Sequence, residues 1–76
     1  MYAFMLSGFI TTEAYKARRP DWEPHTRHFS EADAMKAAAS WRESKGDEAV
    51  VEVLRLHANR GTVIAIVSMA GTETVG

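Results

Sequence analysis

The stretch Ala49–Ala70, AVVEVLRLHANRGTVIAIVSMA, limits this chain most. Its apolar residues fall into two arms. Val50, Val51, Val53, Leu54 and Leu56 fill the first, and Val63, Ile64, Ile66, Val67 and Met69 the second. β-Branched side chains are stiff at χ1 and suit a pleated strand better than a helix. Between the arms, Ala58-Asn59-Arg60-Gly61 reads as a turn. Asn59 and Arg60 take its centre and Gly61 supplies the positive-φ position of a bulge; a loop shifted by one residue is the alternative. The stretch is a β-hairpin.

The hairpin is apolar on both faces. Side chains alternate along a strand, so Val63, Ala65, Val67 and Met69 share one face while Ile64 and Ile66 lie on the other. In the first arm Val51 and Val53 lie on one face and Leu54 and Leu56 on the opposite one. That phase predicts either a bulge near Val53-Leu54 or burial on both faces. The N-terminal run Tyr2–Ile10, YAFMLSGFI, reads as another two-faced strand, with Gly8 marking a bulge or a close approach.

One helix is well signalled. Ser30 is an N-cap, Asp33 follows three residues later, and Glu31 and Asp33 suit the positive end of the helix dipole. Alanines favour the helix through Lys45, and Gly46 stops it. Ala34, Ala37, Ala38 and Trp41 form its apolar stripe, with Trp41 and Ala38 expected to be buried against a sheet. Thr11–His28 is irregular, because Pro20 and Pro24 forbid a continuous helix. Thr12–Ala17 is read as an extension of the first strand or a short second one, and His25–Phe29 as a further short strand. The predicted class is α+β, an antiparallel sheet of three to four strands with a single helix on one face, in the order β-(β)-α-β-β. Residues 1–70 form the domain and 71–76 a flexible tail that frays.

Seventy-six residues make one domain. A chain so short buries only roughly 60% of its unfolded surface. One helix covers one sheet face, so the other is closed either by the Tyr15–Trp22 loop or by another chain. A homodimer at micromolar concentration, held by strand one or the hairpin, is the expectation. The chain has no cysteine, which fits a reducing cytoplasm and excludes disulfides and thiolate zinc sites. No apolar run approaches the roughly 20 residues of a membrane span, and the N-terminus lacks the charged leader of a signal peptide.

No catalytic or cofactor signature stands out. His25 and His28 are spaced i, i+3, but a metal site needs three or four converging ligands, and a solvated loop is the simpler reading. His28 and His57 are conceivable general bases without a partner constellation. No metal or cofactor is expected, and the protein is read as not an enzyme. Charge is the more informative feature. Residues 11–30 carry Lys16, Arg18, Arg19 and Arg27 against Glu13, Asp21 and Glu23; residues 31–52 carry Lys36, Arg42 and Lys45 against Glu31, Asp33, Glu43, Asp47, Glu48 and Glu52. Arg18, Arg19, Trp22 and Arg27 are the candidate partner contact, since Arg and Trp dominate binding hot spots. Glu43, Asp47, Glu48 and Glu52 are the alternative, acidic surface. Tyr15 and Trp22 packing on the sheet, with the arginines solvated, is the plain structural explanation. The net charge of -1 gives little attraction to a polyanion, so a protein partner is expected rather than nucleic acid.

The layout of a two-faced N-terminal strand, a Ser-capped Ala-rich helix (SEADAMKAAASW) and a C-terminal apolar hairpin resembles several small phage-encoded anti-CRISPR proteins. The resemblance covers most of the chain in outline. It implies an inhibitor that occupies a protein or nucleic-acid-binding surface of a bacterial CRISPR effector in the host cytoplasm. No site residue carries over, because no motif is shared. A small homodimeric enzyme or ligand-binding protein with an inter-subunit pocket, using His25, His28 or His57, is the alternative from a different class.

Overall fold

The apolar runs become strands β1 (Ala3–Phe9), β2 (Val50–His57) and β3 (Arg60–Ser68). A fourth strand, β4 (Gly71–Thr74), follows. They form one antiparallel sheet in the order β1-β2-β3-β4. Helices α1 (Thr12–Lys16) and α2 (Glu31–Lys45) lie between β1 and β2 in sequence. The computed structural model describes residues 2–58 and 60–75. The architecture is α+β, with α2 packed on one face of the sheet. None of its helices is long and apolar enough to cross a membrane among the described residues.

Helix α2 forms where its caps place it. The Ser30 hydroxyl accepts the Asp33 N–H at 3.4 Å, and Gly46 ends the helix at φ 108°. Ala34 and Ala38 are fully buried against Phe4, Leu6, Val51, Val53, Ala65 and Val67. These small side chains let the helix lie close to the sheet. Lys36, Ser40 and Glu43 point to solvent. Trp41 is only half-buried, not enclosed as its place in the stripe suggested, because it lies at the edge of the sheet over β1.

A bulge does sit beside Val53-Leu54, but in the second arm, while the first arm alternates regularly against β1. Val53 pairs with Ala65 but Leu54 pairs with Val63, so Ile64 is an extra residue in β3. The bulge sits opposite Val53-Leu54, and Ile64 and Ala65 both turn toward the core under α2. Leu54 and Leu56 remain on the other face. The turn follows the alternative reading, shifted by one residue. His57 pairs with Arg60, so β3 begins one residue earlier than the central turn reading placed it. Ala58 takes the left-handed conformation at φ 48°, while Gly61 lies inside β3 beside Leu54. The place assigned to Asn59 lies outside the described residues.

Three other segments depart from the sequence reading. Thr12–Lys16 is helical, not extended: the Thr11 hydroxyl caps it by accepting the Ala14 N–H at 3.0 Å. His25–Phe29 is not a strand. It belongs to a strap running antiparallel to the outer edge of β1, which touches it at two places. Gly8 exchanges hydrogen bonds with Trp22, and Phe4 with His28. Six residue steps on the strap span four on β1, so the segment around Pro24 bows out and cannot form a ladder. Gly71–Thr74, read as part of a fraying tail, instead pairs with Ala65–Ser68 as β4. A tight turn at Met69-Ala70 returns the chain, and strand pairing does not need apolar side chains when the neighbour is already in place.

Candidate interaction surface

The register divides the sheet into two faces. Phe4, Leu6 and Gly8 lie under α2, opposite Val53 and Val51 of β2. Met5, Ser7 and Phe9 lie on the other face, with Glu52 and Leu54 of β2 beside them. Helix α1 covers only one end of this second face. Phe9 is fully buried there, with the Tyr15 ring edge-on at 5.2 Å.

Arg18 closes that end. Its Nη2 donates to Glu52 Oε1 at 2.6 Å and its Nη1 to Oε2 at 3.0 Å, a bidentate pair. The guanidinium also lies over the Phe9 and Tyr15 rings, 5.3 and 5.4 Å from their centroids. The backbone aims it. Arg18 occupies the left-handed position after α1 at φ 56°, where glycine is usual. Its N–H donates to Tyr15 O and the Arg19 N–H donates to Ala14 O, which satisfies the last carbonyls of the helix. The hydrogen bonds to Glu52 raise the Arg18 pKa further above its ordinary value.

Two members of the candidate basic surface therefore have roles inside the fold. Arg18 is paired, and its partner Glu52 came from the competing acidic group. Trp22 is half-buried and stacks on Trp41, with centroids 4.8 Å apart and planes 6° from parallel. Both rings rest on Gly8, where a Cβ would come within 2.6 Å of Trp41 and 2.9 Å of Trp22. Gly8 is the close approach anticipated from sequence. Arg19 and Arg27 are exposed and do not sit together: Arg19 follows α1, while Arg27 sits near the opposite end of β1 with Met5, Leu56 and Ala58.

The acidic residues are likewise split. Glu43 is on the solvent side of α2, and Asp47 and Glu48 form the turn before β2. A Glu48 carboxylate oxygen accepts the Thr12 N–H at 3.4 Å, placing its charge at the start of α1. The histidines do not converge. His28 is held by its backbone to Phe4, while His57 lies beside Tyr2 with ring centroids 5.9 Å apart. No group of three or more His, Cys, Asp or Glu side chains suited to a metal ion forms among the described residues.

Beyond α1 the second face is open. Met5, Leu54, Leu56, Val63 and Ile66 are half-buried side by side across β1, β2 and β3. At one end a hollow of about 450 Å³ is lined by Met5, Arg27, Leu56 and Ala58. At the β4 side, Glu73 pairs with Ile66 and so stands on the same face. Glu73 escaped the sequence reading because it lies in the segment taken for a tail. The fold and this surface define a small α+β scaffold with one sheet face packed and the other partly bare. No protein-family model matches the chain, and no curated protein or solved structure matches it.

Proposed function

We propose that the chain is a non-enzymatic interaction module whose working surface is the open face of its sheet. The observation that supports this is the run of half-buried apolar side chains from Met5 to Ile66, bordered by Arg27, Glu73 and the Arg18–Glu52 pair. An apolar centre with a charged rim is the usual anatomy of a protein-binding surface. The partner is a protein, since the net charge of -1 gives no general affinity for nucleic acid. A homodimer is the proposed state in solution. The resemblance in sequence layout to small anti-CRISPR proteins makes a subunit of a bacterial CRISPR effector the first target to test, with the host cytoplasm as the place of action.

Purified effector complexes should retain the wild-type chain and lose DNA interference in its presence. Leu54→Glu, which places a charge at the centre of the face, should abolish both effects, because the effector is met either by that face or by the dimer that it builds. Two further variants locate the rim: Arg19→Glu and the pair Asp47→Lys, Glu48→Lys. Loss of binding through the first marks the α1 side, and loss through the second the acidic turn. Wild-type protein that neither binds nor inhibits any effector rules out the anti-CRISPR assignment. A second reading, a dimeric ligand-binding protein or enzyme, draws on the hollow beside Arg27, which a neighbouring chain would roof. A stoichiometric small molecule in native mass spectra of the purified protein would favour it.

A further inference from the structure

We propose that the open sheet face is closed by a second copy of this chain, packed sheet on sheet about a two-fold axis parallel to the strands, with Arg27 of each copy against Glu73 of the other. This rests on the reading of that face as the working surface and names its occupant.

The molecule as a whole exposes more surface than a monomer of its mass usually does. A monomer of 8.4 kDa exposes about 4,600 Å² by the scaling of folded proteins, whereas this chain exposes 5107 Å², an excess of about 500 Å². The bare sheet face is where apolar side chains of three strands lie side by side, Met5, Leu54, Leu56, Val63 and Ile66. The sheet edges offer less. The outer edge of β1 is occupied by the strap, and β4 presents only Gly71–Thr74.

The rim charges fix the arrangement. Arg27 stands on the β1 side of the face, beside Met5 and Leu56. Glu73 stands on the β4 side, level with Ile66, Glu52 and Ser7. A two-fold axis parallel to the strands lays the β1 side of each copy over the β4 side of the other. Opposite charges then meet twice, as an isologous interface requires. Arg27 and Glu73 differ by about two residues along the strand, roughly 7 Å, and an arginine side chain spans that offset. The alternative axis, perpendicular to the strands, lays β1 over β1 and brings Arg27 toward the end of the face that already carries Arg18. Aligned packing of twisted sheets also places the apolar rows of the two copies in contact.

The test is light scattering coupled to size exclusion, read alongside circular dichroism. Wild-type protein at micromolar concentration should show about twice the 8.4 kDa chain mass. Leu54→Glu should run as a folded monomer. Arg27→Glu and Glu73→Arg should each weaken the dimer by about tenfold, and the two together should restore it. Both rim residues are exposed, so the charge swap remains decisive if Leu54→Glu fails to fold. A wild-type monomer overturns the proposal, as does a double swap that fails to recover what the single changes lose. A monomeric wild type whose effector binding is still abolished by Leu54→Glu defeats this inference and leaves the interaction reading standing. If neither mass nor effector binding responds to Leu54→Glu, both fall.

Discussion

Arg18 and Glu52 are thirty-four residues apart in sequence and joined by two hydrogen bonds in the fold, at 2.6 and 3.0 Å. The Glu52 side chain is 6% exposed and the Arg18 side chain 59%, so the pair is half inside and half out. It ties α1 to the centre of the sheet.

Removing the arginine leaves a buried carboxylate without its partner. Arg18→Ala should cost about 2 kcal/mol in urea denaturation, less at high salt because the guanidinium faces solvent. Arg18→Gly should be milder by about 1 kcal/mol, since glycine accepts the left-handed backbone that alanine resists. The raised Arg18 pKa means that the arginine's contribution is present at neutral pH and is lost as pH climbs through the raised value in strong alkali. Equal midpoints for wild type and Arg18→Ala would mean that the pair adds nothing to stability.

Gly8 is where the strap, α2 and β1 meet. Gly8→Ala should cost about 1–3 kcal/mol, because the new methyl would lie 2.6 Å from one indole ring and 2.9 Å from the other. The near-ultraviolet dichroism of the stacked Trp22 and Trp41 should change with it. Trp41→Ala should cost about 3 kcal/mol, at the low end for a core tryptophan because the ring stays partly exposed. An unaltered near-ultraviolet spectrum in Gly8→Ala would show that the rings are not stacked over this position.

What was legible in the sequence was local. Ser30, the alanines and Gly46 specify α2 within their own neighbourhood, and the shift from Val53 to Leu54 announces the two apolar faces. The signals for α1 were present in Thr11, Glu13 and Lys16. They were masked because its left-handed stop is an arginine instead of a glycine, so no terminator was visible. β4 was hidden because its four residues are exposed and are held by pairing with β3, not by burial. The candidate site suffered most. Counting charges by segment set Arg18 against Glu52 as members of rival surfaces, whereas the fold makes them partners. No spacing in the chain encodes that contact.

The hairpin loop offers a stabilising change. Ala58 is held at φ 48°. Ala58→Gly should raise stability by about 1 kcal/mol, or about 4–8 °C in Tm for a domain of this size. A lower Tm would mean that the added freedom of the unfolded chain outweighs the relief of strain.

The strap should open before the sheet does. Asp21 accepts the Ile10 N–H at 2.8 Å through its carboxylate, next to the Gly8 contact. Asp21→Ala should speed hydrogen exchange at Ile10 and Gly8 while the β2 amides keep their protection. Uniform acceleration across the sheet would show instead that strap and sheet unfold as one unit.

The two borders of the sheet are unlike, and this sets how far the protein can grow by strand addition. The strap occupies the β1 border at Gly8 and Phe4, whereas Gly71–Thr74 has no described strand beyond it. A head-to-tail filament would need a vacant border at each end of every subunit. Among the described residues the one border left vacant can join only its own counterpart on another copy, and that union leaves none to extend. Strand addition between copies therefore terminates at two.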